Sequence, residues 1–536
     1  MGRTPDLQPP GKVMNSSPIP SLFRSVSFLL VVSLLFVLSA HLYSLSSRPK
    51  VVVDEAVSLS RVEALLKTGR AVGEFDDLVY GFEYSREIFN PNLPYYFFAI
   101  PTFLGFDPSI GSLRVMSFIA GLMILAAVGV IAARAFGKTG GLCAMLMTSI
   151  SPGFVLGSHF SRPDVLAAGL GYLSIALYSL DRRRAFGAAF LATLAFSAHQ
   201  RSIILSFTLG VLILVDVFRK RAGSGVLVAV FLGGVSALLV IFCVDIAPYG
   251  SLESFISNQR LVAAAVPPPF VTGRASVIVH TLGEFLALLG SLYPAAWLLV
   301  SLFIFRVIRD SSIRRDPLTL IVCVSIFMSL LCVHGMVSVK AVIFSPSVDL
   351  LFVSLLFGKW PQAFSRKFAE AIPAVTFSLF FLSVLYVDYL DLKTPDCRDR
   401  ATEFHERLRH YIPPEANVMG EENFWLYLRE NRYLSWKRLH LSLAAPGVGS
   451  LEDVFKAYRP DYLLYDVGVA IFVSDVPRVN RFHESLRVSR SDFMGVVDRW
   501  AARVGTVDLG CHGAVDIYRF DWTVSKEAPG PKDLNQ

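Results

Sequence analysis

The chain has 536 residues, of which 53% are hydrophobic and only 17% charged, and its mean hydropathy is +0.53. That composition excludes a soluble string of domains and points to a polytopic membrane protein. The net charge of +7 does not signal nucleic-acid binding, because the basic residues fall in short clusters between apolar stretches, the distribution of cytoplasmic loops.

Residues 1–21 are rich in Pro, Ser and Gly and read as a disordered cytoplasmic tail. The apolar run Leu22–Leu45 is expected to be an uncleaved signal anchor, since no convincing small-x-small cleavage site ends it and more spans follow. A first outer loop, 47–110, then opens on the adjacent carboxylates Asp54 and Glu55. Further apolar segments are Gly111–Phe136, Leu142–Leu156, Asp164–Leu180, Ala185–Ala198, Ile203–Phe218 and Val226–Ile246. Beyond these come Thr281–Phe305, Leu318–Val333, Ala341–Phe357 and Ala369–Tyr389. Together they make roughly eleven spans, several shorter than the ~20 residues a perpendicular helix needs. Local thinning of the bilayer or burial inside a bundle accommodates short spans.

Lysine and arginine set the expected orientation. Arg134/Lys138, Arg182–Arg184, Arg219–Arg221, Arg306/Arg309/Arg314/Arg315 and Lys359/Arg366/Lys367 occupy every second connection, which places those connections in the cytoplasm. The alternate connections carry Asp54, Arg162, His199, the loop Tyr249–His280 and Lys340, and fall on the outer face. An odd number of spans puts the C-terminal part outside as well. From about Asp391 the chain becomes charged and aromatic, with Phe404, Leu408 and Tyr411 at helical spacing and strand-like runs at Tyr462–Tyr465 and Ala514–Phe520. The organisation expected is a transmembrane domain over 22–390 and a small extracytoplasmic α/β domain over 391–536.

Cysteine usage follows the same division. Cys143, Cys243, Cys323 and Cys332 lie in apolar stretches and read as small core hydrophobes. Cys397 and Cys511 are the pair in the polar C-terminal part, free to form a disulfide if that part is extracytoplasmic; spacing does not prove the pairing. No Walker-type phosphate loop is present, which argues against an ATP-driven pump.

The outer connections gather the candidate chemistry. Asp54, Asp164, His199, Arg201, Arg274 and Lys340 come from five connections, yet all fall on one face. Each also has a plain structural role open to it. Asp54 either caps an amphipathic helix containing Val57, Val62, Leu65 and Leu66 or acts chemically. Glu55 is either structural or a cation ligand. Asp164, behind Arg162-Pro163, occupies an ordinary helix start for an acid. His199 fits a turn, and Arg201 and Lys340 fit the headgroup layer.

The stretch Val51–Tyr178 resembles the GT-C superfamily of membrane glycosyltransferases, in the branch of protein O-mannosyltransferases and lipid A aminoarabinose transferases. The resemblance rests on a series of short motifs: Asp54-Glu55-Ala56, the aromatic stretch Asn90–Phe97 with Pro91 and Pro94, Gly111-Ser112-Leu113-Arg114, Ser151-Pro152, and Ser161-Arg162-Pro163-Asp164. It departs from the branch in having Asn90 and Asn92 where a basic residue is usual, with Arg86 nearest in sequence. It departs again at Lys340, which precedes Pro346 but is followed by Ala341 where the branch has Tyr.

The resemblance implies a GT-C fold and transfer of a sugar from a polyprenyl-phosphate donor to a lipid, glycan or protein acceptor, at the outer face of the plasma (inner) membrane. It implies Asp54 as base, Asp164 as a second catalytic acid that orients the acceptor or helps bind a divalent cation, and inversion at the anomeric carbon. The leaving phosphate would be met by Arg201, Lys340, Arg274 and His199, while Glu55 and Arg162 take cation-binding or structural roles. Pro267-Pro268-Pro269 in the loop 249–280 would help close over the donor. The rival readings are a multispan transporter or flippase, a non-catalytic subunit on the same scaffold, and a ligase acting on lipid-linked oligosaccharides.

Overall fold

The computed structural model describes residues 21–45, 53–69, 92–247, 296–310, 316–332, 342–358, 401–436, 450–466, 488–508 and 513–523, with a few shorter pieces between them. Helix α1 (Ser21–Ser44) exposes Phe28, Leu29, Leu35 and Phe36, a surface suited to lipid and not to water. Helix α2 (Val53–Thr68) buries Ala56, Leu59, Val62 and Leu65, residues three apart that share one helix face. Two short helices, α3 (Leu93–Phe98) and α4 (Ile100–Phe103), carry the aromatic stretch back to the bundle.

Helix α5 (Ile110–Ile150) begins at a capping box in which Ser109 accepts from the Ser112 amide at 3.1 Å. It breaks at Gly137, whose φ of 77° is open to glycine and costly for other residues. The chain doubles back there: a methyl group on Gly141 would stand 2.8 Å from the carbonyl oxygen of Gly129. The two expected spans at 111–136 and 142–156 are thus the arms of one tight hairpin. The second arm stops at Ser151, earlier than the hydrophobic pattern suggests, and α6 (Pro152–His159) restarts on a proline. Proline suits a first helical turn and cannot donate within a helix interior.

Helices α7 (Pro163–Leu180), α8 (Ala185–Ala198), α9 (Ile203–Phe218) and α10 (Gly225–Ile241) follow, the first three joined by single 3-10 turns at Arg182–Arg184 and Gln200–Ser202. Ala185, Ala188, Ala192 and Ala195 of α8 are buried. Small side chains let helices approach closely where lipid removes the hydrophobic drive to associate. Helices α11 (Ala296–Arg309), α12 (Pro317–Cys332) and α13 (Ser345–Phe357) follow, and further helical residues are described at 371–373 and 375–382. Among the described residues, five helices are long and apolar enough to cross a membrane.

The C-terminal part contains α14 (Ala401–Tyr411), β1 (Asn417–Gly420), β2 (Arg432–Ser435), α15 (Leu451–Tyr458), β3 (Tyr462–Tyr465), α16 (Arg490–Trp500), β4 (Ala501–Asp508) and β5 (Ala514–Phe520). These strands form one sheet in the order β2-β1-β3-β5-β4. β1 runs parallel to both β2 and β3, whereas β5 runs antiparallel to β3 and β4. The helix and two strands expected from the sequence pattern are α14, β3 and β5. β1, β2 and β4 were not expected: the first two are four residues each without the aromatic pattern of Tyr462–Tyr465, and β4 carries Arg503, Gly505 and Asp508 among its apolar residues.

Helix α2 is the layer shared by the two parts. Leu59, Val62 and Leu65 pack in one cluster with Leu113 and Met116 of α5 and with Phe404, Phe424 and Trp425 of the C-terminal domain. Arg429 adds an ion pair to Glu63 at 2.9 Å, and Phe75 meets Trp425 edge to face at 5.4 Å. Truncating one of these buried leucines to alanine costs about 2–5 kcal/mol. Cys143, Cys243 and Cys323 are free thiols; Cys397 and Cys511 lie outside the described residues.

Candidate active site

The adjacent carboxylates at the head of α2 point different ways. Glu55 is wholly buried and forms a two-pronged ion pair with Arg114 of α5. Arg114 Nε donates to Oε1 at 2.8 Å and Nη2 to Oε2 at 2.7 Å, while Nη1 reaches the carbonyl of Leu45 at 3.1 Å. The Ser161 amide and hydroxyl also donate to Oε1, at 3.1 and 3.2 Å. Three chain segments therefore meet at one carboxylate, and a fourth, at Leu45, is tied in through Arg114. A planar guanidinium is the donor that fits such a bidentate, buried pair. Both Glu55 oxygens are engaged by protein donors.

Asp54, one residue earlier on the helix, has a side chain 53% exposed and pairs with Arg162. Arg162 is itself buried and turns its Nε to Asp164 Oδ2 at 3.0 Å. The extended backbone of Arg162 just before Pro163 is the conformation that a following proline favours. It lets one guanidinium stand between two carboxylates. Asp164, in the first turn of α7, then faces His199 Nε2 at 3.4 Å and Arg201 Nη1 at 4.0 Å. The Arg201 amide donates to His199 Nδ1 at 3.2 Å. With Nδ1 accepting, the ring proton sits on Nε2, toward Asp164.

The structure thus joins Asp54, Arg162, Asp164, His199 and Arg201 in one chain of charges at a single end of the bundle, with Glu55 beneath it. Lys340 and Arg274, the remaining phosphate-binding candidates, lie outside the described residues.

Several supporting residues escape a reading by motif. Asp245, in the wider helical turn Phe242–Ile246 that follows α10, accepts from the amides of Asn92 and Leu93 at 2.7 and 3.1 Å and from the Ser197 hydroxyl. It fixes the start of the aromatic stretch. Tyr95 in that stretch lies under the guanidinium of Arg61, 5.0 Å from its ring centroid, and their polar ends also bond. A basic group beside the aromatics is therefore present, supplied in space by α2. His41 Nε2 donates to the Ser149 carbonyl at 2.7 Å, and its Nδ1 takes the proton of His159 Nε2 at 2.9 Å, binding α1 to the hairpin and α6. A lone acid such as Asp245 in an apolar stretch is itself a signal, but its partners are 48 to 153 residues away in sequence.

No family model matches the sequence, and no curated protein matches it significantly. Solved structures do. The chain superposes on ArnT from Cupriavidus metallidurans in the apo state with a TM-score of 0.51 and 12% identity, covering 92% of this chain and 98% of ArnT. For ArnT bound to undecaprenyl phosphate the TM-score is 0.50 at 13% identity, covering 93% of this chain and 98% of that one. The archaeal oligosaccharyltransferase AglB from Archaeoglobus fulgidus, in complex with an inhibitory peptide and a dolichol-phosphate, gives 0.55 at 11% identity over 96% of this chain and 75% of AglB. At such identities the likeness is one of architecture, and that architecture names the fold: the chain has the GT-C fold that it shares with ArnT and AglB.

Proposed function

We propose that this chain is an integral-membrane glycosyltransferase that moves a sugar from a polyprenyl-phosphate donor to a lipid, glycan or protein acceptor on the outer face of the plasma (inner) membrane. The reading includes about eleven spans, a transmembrane domain over 22–390 and an extracytoplasmic domain over 391–536. The GT-C fold supports it, as do neighbours bound to undecaprenyl phosphate and dolichol-phosphate. The observation that carries it is Asp54: a half-exposed carboxylate, held by a buried arginine that also grips Asp164.

In the proposed reaction an acceptor hydroxyl or amine attacks the anomeric carbon as the bond from that carbon to the lipid-phosphate oxygen breaks. Asp54 takes the acceptor's proton as the new bond forms, and attack from the back inverts the carbon. A carboxylate in hydrogen-bond reach suits a proton lost late. Asp164 orients the acceptor side through Arg162 and His199. Polyprenyl phosphate leaves with its electron pair, stabilised by fixed cations in place of a general acid. Arg201 is the assigned phosphate contact, with Lys340 and Arg274 as further candidates and His199 assisting.

A divalent cation at this end of the bundle would be held with the help of Asp164. Asp54 and Asp164 both turn to Arg162, and no group of three or more His, Cys, Asp or Glu side chains among the described residues is placed to hold a metal. Arg162 supplies the positive charge between the carboxylates.

The test is to incubate the purified full-length protein with a panel of polyprenyl-phosphate sugars and measure release of polyprenyl phosphate. The wild type is expected to consume one of them, and Asp54→Asn to lose at least about a hundredfold in rate while inserting and folding normally. Near wild-type turnover in that variant eliminates Asp54 as base. Arg201→Ala is expected to weaken use of the donor by roughly tenfold to a hundredfold. Unchanged donor affinity and turnover would remove Arg201 from the phosphate site.

A further inference from the structure

The carboxylate chain occupies one end of the helix bundle, and a separate cavity of about 530 Å³ lies at the other. The separation follows from the helices. α7 starts beside Asp164 and runs 18 residues to the cavity wall at Leu180, roughly 27 Å at 1.5 Å per residue. α9 likewise starts beside Arg201 and ends at Arg219, on the cavity. Nothing in the proposed transfer reaction uses this space.

Its lining is divided by polarity. Deep in the bundle the walls are Ile131, Leu212, Leu320 and Ile321; toward the end of the helices they are Arg134, Arg182, Arg183, Arg219 and Arg221. Three acids share the lining, and each is committed within the protein. Asp216 takes Arg182 Nε at 2.6 Å and the Tyr178 hydroxyl at 3.3 Å. Asp181 accepts the Arg183 amide at 2.9 Å, and Asp316 caps α12 through the Leu318 amide at 3.4 Å. Among the described residues Arg134, Arg183 and Arg221 form no ion pair, and all three side chains are exposed at the mouth.

The turn that delivers Arg219 and Arg221 is also unusual. Lys220 adopts a left-handed φ of 54°, where a helix end normally uses glycine. The Arg221 amide closes the turn on the Asp216 carbonyl at 2.8 Å.

We propose that this cavity is an accessory binding site for the phosphate headgroup of an anionic lipid. The guanidinium groups at the mouth hold the phosphate by charge-assisted hydrogen bonds, and the apolar walls take the first part of the lipid tail. Guanidinium forks match phosphate oxygens in geometry, and a basic pocket between membrane helices favours an anionic headgroup at the membrane surface. A freely soluble phosphate would use the arginines and leave the apolar walls without a partner, which is why the lipid is the assigned ligand.

The test uses delipidated full-length protein in neutral detergent, with dioleoylphosphatidylglycerol, dioleoylphosphatidylcholine or sodium phosphate added separately. Bound lipid is counted by native mass spectrometry and stability is read from the melting temperature. Phosphatidylglycerol is expected to bind and to raise the melting temperature by roughly 3–6 °C at saturation, with no such gain from phosphatidylcholine. The triple variant Arg134→Gln/Arg183→Gln/Arg221→Gln should bind phosphatidylglycerol at least about tenfold more weakly. Its melting temperature without lipid should match the wild type, since among the described residues these side chains form no hydrogen bond or ion pair. Should the triple variant misfold, Arg183→Gln alone carries the test. Equal stabilisation by both lipids, or undiminished phosphatidylglycerol binding in the variant, overturns the site. A full effect from sodium phosphate alone overturns the lipid assignment and moves the site to a soluble phosphate.

Discussion

At its first turn α7 presents Asp164 to Arg162, and both side chains are almost wholly shielded; just past its last turn Arg182, 41% exposed, meets Asp216, 13% exposed. The two pairs use the same chemistry at similar distances, 3.0 and 2.6 Å. Their settings give them different work. Around Asp164 each charge answers another inside a closed set, and Glu55–Arg114 beneath it is sealed completely. At the far end the acids are satisfied locally and positive groups face outward round a cavity. At the first end buried charges hold one another in place and leave Asp54 half-exposed, whereas at the second exposed arginines face outward. Removing a partner from the first leaves a buried charge; doing so at the second leaves a charge that water can solvate.

That contrast orders the expected effects on stability. Glu55→Gln leaves Arg114 buried without its counter-charge and should cost about 3–5 kcal/mol, seen as a large fall in melting temperature in detergent. Asp245→Ala is next, at about 2 kcal/mol, because the amides of Asn92 and Leu93 and the Ser197 hydroxyl lose their acceptor. Partial proteolysis near the aromatic stretch should accelerate with it. Asp216→Asn should cost at most about 1 kcal/mol, since the exposed Arg182 head regains water. The comparison breaks if Asp216→Asn proves as damaging as Glu55→Gln. It sharpens if Glu55→Gln unfolds the protein while Asp54→Asn leaves its melting temperature unchanged and stops only transfer.

Asp54 and Glu55 show how far the candidate site could be read in advance. The pair, the Arg162–Asp164 motif and the His199–Arg201 turn all stand out as polar groups at ends of apolar runs, and the structure brings them together. Which of the two acids would be buried was not legible. They are adjacent on a helix and about 100° apart round its axis, so the faces that α5 and the Ser161 segment cover decide the matter. Arg114 was visible only as a motif letter, because its partner lies 59 residues away. Lys340 and Arg274 belong to the same expectation and remain outside the described residues.

Local sequence by itself determined the membrane-type composition, the ends of α7 and α9, the break between the apolar segments 111–136 and 142–156, and strands β3 and β5. These depend on apolar periodicity, on proline and on glycine, all of which act within a few residues. Only the tertiary structure decided that α2 lies between bundle and C-terminal domain, that Arg162 bridges two carboxylates, and that the arginine clusters after α7 and α9 enclose one cavity with α5 and α12. Those outcomes depend on which distant surfaces meet, and the free energy of burying a charge is set by the neighbours that packing supplies.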